Sequence, residues 1–126
     1  MLSFPPSPQV RVFVARHPVD MRKSFDGLSA AVIDVIDHDP QSGHLFLFFN
    51  KRRDRMKALI WEASGYWILY KRIEHGRFHL FDRAGDRDGR FELNTAELAL
   101  IMDGIDLRGA RKRITHDELV HADLNT

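Results

Sequence analysis

Basic side chains are concentrated in one short stretch, residues 50 to 57, with the sequence NKRRDRMK. Its five cations, interrupted by Asp54, are Lys51, Arg52, Arg53, Arg55 and Lys57. Arginine makes bidentate contacts with phosphate or guanine, and a two-stranded ribbon with a basic tip can enter a groove of DNA or follow its backbone. The stretch therefore predicts a contact with nucleic acid or with an acidic protein surface. The alternative is a solvated loop that prevents edge pairing and keeps the protein soluble, and the sequence weighs the two about equally.

Two further pairs of cations extend this hypothesis. Lys71 and Arg72 follow the third apolar run of the central region, and we include them in the predicted nucleic-acid contact. Arg22 and Lys23 enlarge the basic patch if the fold brings them to the same side. The formal net charge of the whole chain is only +1, so a basic surface must come from such local clustering.

The acidic residues do not form the pattern of a nuclease. A two-metal polynucleotidyl transferase needs several carboxylates that converge on one point, usually with one inside a central strand. The apolar runs carry none in their interiors, and Glu62 stands at the end of one. Four aspartates lie on or beside a predicted helix, where solvated side chains are the simpler interpretation: Asp20, Asp26, Asp34 and Asp37. A small nuclease is a third alternative only because scattered acids can converge in a fold.

The histidines do not have the spacing of metal ligands either. His75 and His79 flank a glycine turn. His116 and His121 are five residues apart, which on a helix is a rotation of about 500° and separates the imidazoles. With no cysteine and no glycine-rich phosphate loop after a strand, we predict no catalytic residue, no bound metal and no cofactor.

The chain has 126 residues, a length that predicts one domain. No apolar stretch is long enough to cross a bilayer, and the first residues lack the basic and apolar regions of a secretion signal. We expect a soluble cytoplasmic protein that makes no membrane contact.

Three apolar runs between residues 44 and 72 must position the basic stretch, and their length and composition indicate β-strands. Pairing Phe49 with Met56 joins the first two runs across the basic loop. In this register one face of the sheet is mainly aliphatic, and the other carries aromatic rings. A slip of one residue would exchange the two faces.

A glycine-bearing turn joins the second and third runs. We expect a three-residue loop with Gly65 in the left-handed conformation, which places Trp61 opposite Trp67. Lys57 then lies opposite Lys71 on the same face of the hairpin.

Aromatic rings on this face indicate a second possible binding mode. They are Phe46, Phe48, Trp61 and Trp67, and they stand beside Lys57 and Lys71. Such rings could stack on unpaired bases, as aromatic sheet platforms do. We favour the alternative, a core beneath a helix or a partner chain, because exposing so much aromatic area is costly.

The segment before the central runs predicts a strand and a helix. Residues 10–14 alternate as in a strand, and Asp20 or Ser24 is a suitable N-cap for the helix that follows. Apolar residues at helical spacing form the face that we expect to pack on the sheet: Phe25, Leu28, Val32, Val35 and Ile36. Asp39 precedes a proline, so the helix should end there.

The segment after the central runs predicts a further strand over residues 78–81 and a mobile, charged loop over residues 82–90. Asn94 and Glu97 have the spacing of a capping box, which predicts the start of a second helix. Three of its residues should point inward: Leu98, Ile101 and Met102.

Together these elements predict a single α+β domain over residues 10–108, with an antiparallel sheet of four or five strands and two main helices. Residues 1–9 contain three prolines and predict an extended N-terminal arm. Residues 109–126 predict a basic, partly helical or frayed C-terminal tail.

Several successive motifs resemble one bacterial protein family. They are Asp20-Met-Arg-Lys-Ser-Phe-Asp-Gly-Leu28, Gly43-His-Leu-Phe46, Asn50-Lys-Arg-Arg-Asp-Arg55, Tyr70-Lys-Arg-Ile-Glu74 and Gly76-Arg-Phe78, together with Lys57, Trp61 and Gly65. In this order, and from about residue 10 to about residue 108, the chain resembles the accessory proteins called TnpB, or Orf2-like, of the sixty-sixth bacterial insertion-sequence family.

The resemblance implies a protein that is encoded beside a separate transposase and is required for efficient transposition, with catalysis assigned to the larger partner. It supplies no catalytic residues. We therefore predict a non-catalytic accessory factor of DNA transposition that contacts transposon DNA, the transposase, or both, through the basic hairpin loop. The alternative is a purely protein-binding module that bridges transposition proteins without touching DNA. The oligomeric state stays open.

Overall fold

A computed structural model describes residues 9–80 and 89–103 of the chain. The predicted arm up to residue 8, most of the predicted charged loop, and the predicted tail lie outside these residues. The described elements are β1 (Val12–Ala15), α1 (Phe25–Ala31) with a π-helical continuation (Val32–Ile36), β2 (Leu45–Phe49), β3 (Arg55–Glu62), β4 (Gly65–Arg72), β5 (Arg90–Leu93) and α2 (Thr95–Met102).

The five strands form one mixed sheet in the order β4-β3-β2-β1-β5. Only β1 and β2 run parallel; the other three neighbouring pairs are antiparallel. The parallel pair follows from the connection, because α1 carries the chain across the sheet between these two strands. The predicted single α+β domain with two helices is confirmed; the sheet, predicted to be antiparallel, is mostly so, with one parallel pair.

The fifth strand is not where the sequence analysis placed it. Residues 77–80 form no strand, since the N–H of Phe78 donates to the carbonyl of Arg53 in the basic loop instead of to a neighbouring strand. The outermost strand beside β1 is β5, which begins inside the predicted loop at Arg90. This prediction was therefore wrong in position, although the number of strands was right.

Helices cover both faces of the sheet. All five residues of β2 are buried, as expected of a strand with packing on both sides. We call one side the α2 face; its buried residues include Val14, Leu47 and Phe78, with Leu98 and Ile101 of α2. The other is the α1 face, which buries Phe13, Phe46, Phe48 and Leu59 beneath Leu28, Val32 and Ile36.

The first helix packs through a narrower stripe than its spacing predicted. Leu28, Val32 and Ile36 are buried, but Phe25 and Val35 are 46% and 40% exposed, which corrects the predicted face at these two positions. The reason for Val35 is the wider π-helical turn after Val32, which brings Ile36 to the sheet in its place. The helix ends at Ile36, earlier than predicted, with Asp37 in the left-handed conformation (φ 59°).

The second helix begins as predicted. The side chain of Asn94 accepts a hydrogen bond from the Glu97 N–H (2.7 Å), and Glu97 Oε1 accepts one from the Asn94 N–H (3.1 Å). This capping box satisfies two N–H groups that the helix cannot satisfy itself. Leu98 and Ile101 then point inward, and both are fully buried.

The first hairpin has the predicted register, with Phe49 opposite Met56. The second does not. Its loop has two residues, Ala63 and Ser64, and Ala63 takes the positive φ (59°) that favoured two-residue hairpin turns require.

The shorter loop shifts the second register by one residue. Trp61 lies opposite Tyr66, and Lys57 lies opposite Tyr70. Trp67 and Lys71 therefore lie on the α2 face, away from Trp61 and Lys57, because neighbouring strand residues alternate between faces. The predicted Trp61–Trp67 and Lys57–Lys71 pairs are wrong.

Candidate nucleic-acid interface

Three connecting segments meet at one end of the sheet. Because β1 and β2 are parallel, both end at this edge, where β3 begins and β4 ends. The N–H of Val19 donates to the carbonyl of Phe49 (2.8 Å), and this bond attaches the segment after β1 to the end of β2. Ile73 N donates to the Asp54 carbonyl (2.9 Å), and Phe78 N to that of Arg53 (2.6 Å). We call residues 16–23, 50–55 and 72–80 the basic end.

Asn50 fixes the shape of the basic loop from inside. Its side-chain oxygen accepts hydrogen bonds from the N–H groups of Asp54 (3.1 Å) and Arg55 (3.0 Å). Its side-chain nitrogen donates to the Asp54 carboxylate (2.6 Å), and this bond is the main reason that the pKa of Asp54 lies below its usual value. Arg53 adopts a positive φ (59°) inside this turn. The loop is therefore a fixed platform for its cations.

The cations of this platform border two surface grooves. One, of about 450 Å³, lies between the Pro18–Met21 segment and a basic wall of Lys51, Arg52 and Arg55. The other, of about 300 Å³, is lined by Lys51, Arg52, Arg53, Arg77, Phe78, His79 and Leu80. Lys51 and Arg52 are exposed and border both grooves. Within residues 9–80 and 89–103, neither forms an ion pair, although the Arg52 charge is near enough to Asp54 to help lower the pKa of that carboxyl group.

The second groove contains two residues that the sequence analysis did not assign to the site, Arg77 and His79. They reach it because the chain returns beneath the basic loop and Phe78 is buried there. The Gly76-Arg77-Phe78 turn was visible in the sequence. Its long-range contact with Arg53 was not, since no local pattern encodes it.

Lys57 is not part of the exposed surface. It is 8% exposed, and its ammonium group donates to the main-chain carbonyl of Lys23 (2.8 Å) just before α1. The same ammonium group lies 4.9 Å from the centroid of the Tyr70 ring. The contacts assign Lys57 to the attachment of α1, so we remove it from the candidate interface.

Lys71 and Arg72 are also placed differently from the prediction. Lys71 points to the α2 face, where its ammonium group donates to the carbonyl of Met102 at the end of α2 (2.6 Å). Arg72 shares the α1 face with Arg55 but forms an ion pair with Glu74 (2.9 Å). Arg72 therefore stays at the basic end with its charge partly compensated, whereas Lys71 leaves it.

Arg22 and Lys23 reach the rim of the basic end. The Arg22 guanidinium group pairs with Asp20 (2.7 Å), and its hydrogen bonds lower the pKa of Asp20 to about 2. The pair is exposed and is neutral as a unit, so Arg22 contributes to the shape of the basic end but adds little to its net charge. Lys23 is exposed, while its carbonyl group holds Lys57.

The aromatic residues do not form a stacking platform, which was the less favoured of the two interpretations. Phe46 and Phe48 are fully buried, as the core interpretation predicted. Trp61 packs edge-on against Tyr66, with ring centroids 4.9 Å apart. Trp67 is exposed but lies on the other face of the sheet. The register shift separates the rings that were expected to act together.

No group of three or more histidine, aspartate or glutamate side chains suited to a metal ion occurs among residues 9–80 and 89–103. His116 and His121 lie outside that range. In the same described part of the chain, no helix has the length and apolar character needed to span a membrane.

Comparison with known proteins places the chain in a family. Residues 10–112 match the family described as IS66 Orf2 like protein. An uncharacterised protein of Sinorhizobium fredii, y4jC, is 33% identical over 108 residues, which are 86% of this chain and 90% of that protein. A second from the same organism, y4hO, is 31% identical over 104 residues, covering 82% and 88%.

No solved structure is significantly similar to the chain. The family match covers most of the sequence, including every residue of the basic end that borders the two grooves. The chain belongs to the IS66 Orf2-like family, a family of non-catalytic accessory proteins of insertion-sequence transposition.

Proposed function

We propose that this accessory protein binds transposon DNA through the basic end, in the cytoplasm and beside the separate transposase of its element. The observation that carries the proposal is the pair of exposed cations, Lys51 and Arg52, held on a fixed loop between two grooves. A preformed loop loses little conformational entropy when it binds, and phosphates can form the ion pairs that the two side chains do not form within the described residues.

Charge distribution supports DNA over a generic solvated tip. The chain as a whole has a formal net charge of +1, yet the basic end gathers Arg53, Arg77 and His79 around Lys51 and Arg52. The one acid inside the loop, Asp54, bonds to Asn50. Such an arrangement of like charges does not help folding, but it suits a surface that meets phosphates.

A salt series tests the proposal. We expect the double variant K51A/R52A to keep its fold, because both side chains are exposed. If each cation meets one phosphate, the slope of log K against log salt for transposon-end DNA should fall by about 1.8 units, at about 0.9 per contact. The control is R11A/K71A, which removes the same formal charge from other parts of the surface; because these two side chains bond to Glu92 and to the Met102 carbonyl, circular dichroism first checks that this variant is folded.

Equal slopes for the two double variants would mean that net charge alone drives binding, and the assignment to the basic end would be wrong. A transposition assay in cells with the matching transposase then connects DNA binding to the accessory role. We expect K51A/R52A to lower transposition and R11A/K71A to leave it near the wild-type level.

A protein-binding module without DNA contact is the second candidate. The observation that favours it is the outer strand β4, which leaves one edge unpaired within the described sheet and carries Trp67, 51% exposed. In that case W67A should weaken association with the transposase, and K51A/R52A should leave DNA-dependent readouts unchanged. Co-purification of the two proteins with each variant separates the candidates.

A further inference from the structure

Tyr70 is an exposed aromatic ring at the border of the basic end. It is 50% exposed, and it lies on the α1 face of the outer strand β4, opposite Lys57 of β3. An aromatic ring with so much surface in water gains little from packing, so its position calls for another explanation.

Two cations hold the ring in place. Arg55 Nη1 donates a hydrogen bond to the Tyr70 hydroxyl (3.2 Å), and Lys57 Nζ lies 4.9 Å from the ring centroid. Lys57 is itself fixed by its bond to the Lys23 carbonyl (2.8 Å). The ring is therefore oriented before any ligand arrives, while half of its surface stays open.

Arg55 links this ring to the phosphate-binding surface. Its side chain borders the 450 Å³ groove together with Lys51 and Arg52, and it also contacts the Tyr70 hydroxyl. A nucleic-acid strand whose phosphates follow these cations would bring its bases toward the ring. Cationic grooves with adjacent aromatic rings are how proteins bind unpaired strands, because every base has a face that can stack.

We propose that Tyr70 stacks on an unpaired base of a DNA strand whose phosphates contact Lys51, Arg52 and Arg55. The inference rests on the proposed DNA-binding function and adds that the ligand is single-stranded or frayed DNA. A base inside a duplex is covered on both sides by its neighbours, so an isolated ring can stack only on a base that has left the helix.

Trp67 provides a matched control within the same strand. It is as exposed as Tyr70, 51% against 50%, but it points to the α2 face, away from Arg55 and Lys57. Trp67→Ala removes a comparable exposed aromatic area and leaves the proposed site unchanged. Tyr70→Phe keeps a ring that can stack, and Tyr70→Leu keeps an apolar side chain that cannot.

The experiment measures binding of a labelled oligothymidine and of a blunt duplex by fluorescence polarisation. It also follows the fluorescence of 2-aminopurine in a single strand, which stacking quenches. We expect Y70A and Y70L to weaken single-strand binding by about 5- to 150-fold, the range of base–aromatic stacking. Both variants should lose the quench, whereas Y70F and W67A keep both. Circular dichroism confirms that each variant is folded.

The outcomes separate the inference from the proposed function. In one outcome, duplex binding depends on Lys51 and Arg52, while Y70A and Y70L change neither single-strand binding nor quenching. That outcome overturns the stacking site and leaves the proposed function standing. Loss of the quench in W67A but not in Y70A and Y70L would also overturn it. Absence of any DNA binding at low salt overturns both.

Discussion

The α2 face of the sheet packs beneath a capped helix that one lysine, Lys71, also contacts, whereas the α1 face combines an apolar core with polar side chains that bind main-chain carbonyls at both ends of the first helical segment. On the α1 face, Lys57 donates to the carbonyl of Lys23, and Arg90 donates to that of Ile36 (3.0 Å). Both bonds attach the ends of the first helical segment to the sheet. Directional contacts fix where this segment sits, while apolar burial supplies the stabilisation.

This difference matters for function because two of the side chains proposed to contact DNA, Arg55 and Tyr70, belong to the α1 face. Arg55 and Tyr70 share that face with Lys57, so the bond that attaches α1 also sets the border of the basic end. The α2 face carries Lys71 and Trp67, which make no contact with the two grooves. The α1 face thus combines helix attachment with the proposed DNA contact, and the α2 face contributes mainly to stability.

The largest effect should come from the point where β5 meets the π-helical turn. Gly89 has φ +84°, and a Cβ atom there would lie 2.5 Å from the Val35 carbonyl oxygen, which is main chain and cannot move aside. Gly89→Ala combines this clash with left-handed strain and should cost about 4 kcal/mol or more. Urea unfolding measures the loss.

Two other glycines calibrate that result. Gly76 has φ +81° but open space around its Cβ position, so Gly76→Ala should cost about 1 kcal/mol from strain alone. Gly65 also has open space, and its φ is not in the left-handed range. Gly65→Ala should change stability by about 0.5 kcal/mol or less. A cost for Gly89→Ala no larger than for Gly76→Ala would contradict the close contact with Val35.

Apolar packing on the α1 face gives the next effect. Leu28 is fully buried beneath the helix, and Leu28→Ala should lower the free energy of unfolding by about 3 kcal/mol. Val35, on the same helical segment, is 40% exposed, so Val35→Ala should stay within about 0.5 kcal/mol. Equal losses for both variants would mean that the π-helical turn does not set which residues face the sheet.

Lys57→Met tests how much the polar attachment of α1 contributes to the stability of the α1 face. Methionine keeps the length and apolar character of the side chain but cannot bond to the Lys23 carbonyl. We expect a loss of about 2 kcal/mol, as for hydrogen bonds from charged donors. Because Lys57 is buried, the salt dependence of DNA binding should keep the wild-type slope. If the slope of log K against log salt becomes flatter and the stability is unchanged, Lys57 contacts phosphate and does not attach α1.

The two hairpins also differ in how well the sequence predicted their registers. The Asn94–Glu97 capping box follows from a local pattern, and the first hairpin has the predicted register although its longer loop constrains that register only weakly. The second register depended on whether the turn holds two residues or three. Ala63 takes a positive φ, which alanine rarely adopts, so the sequence did not indicate the shorter turn. In the actual register, Tyr70 lies opposite Lys57.

The remaining errors share a physical origin. β5 forms only because distant β1 offers it a partner, and the π-helical turn accompanies close packing against Gly89. Arg77 joins the basic end through the long-range bond between Phe78 and Arg53. None of these contacts has a local signature, so residue spacing could identify the basic loop but not the groove walls or the ring beside it.

The smallest effect should be a pH dependence of stability that originates on the α1 face. His44 Nδ1 accepts a hydrogen bond from the Arg11 N–H (3.0 Å), which requires that nitrogen to be unprotonated. Burial lowers the pKa of His44 below its ordinary value of 6.5, and the nearby His38 and Arg11 charges lower it further, against a smaller opposing effect of Glu92. The folded protein therefore favours neutral His44.

The sign of the effect follows from this lowered pKa. The unfolded chain binds the proton more tightly, so the stabilisation is complete above about pH 6.5 and declines as the pH falls below it. His44→Asn keeps an acceptor for Arg11 but does not titrate. Between about pH 7 and about pH 5, the melting temperature of the wild type should fall more than that of H44N.

Glu92, whose pKa is lowered mainly by its hydrogen bond with Arg11, loses its contribution only below its ordinary value of 4.5. E92Q should therefore keep the decline in the His44 window or steepen it slightly, because the opposing effect of the Glu92 charge on the pKa of His44 is removed. If H44N declines as steeply as the wild type there, another group controls the acid sensitivity of this face.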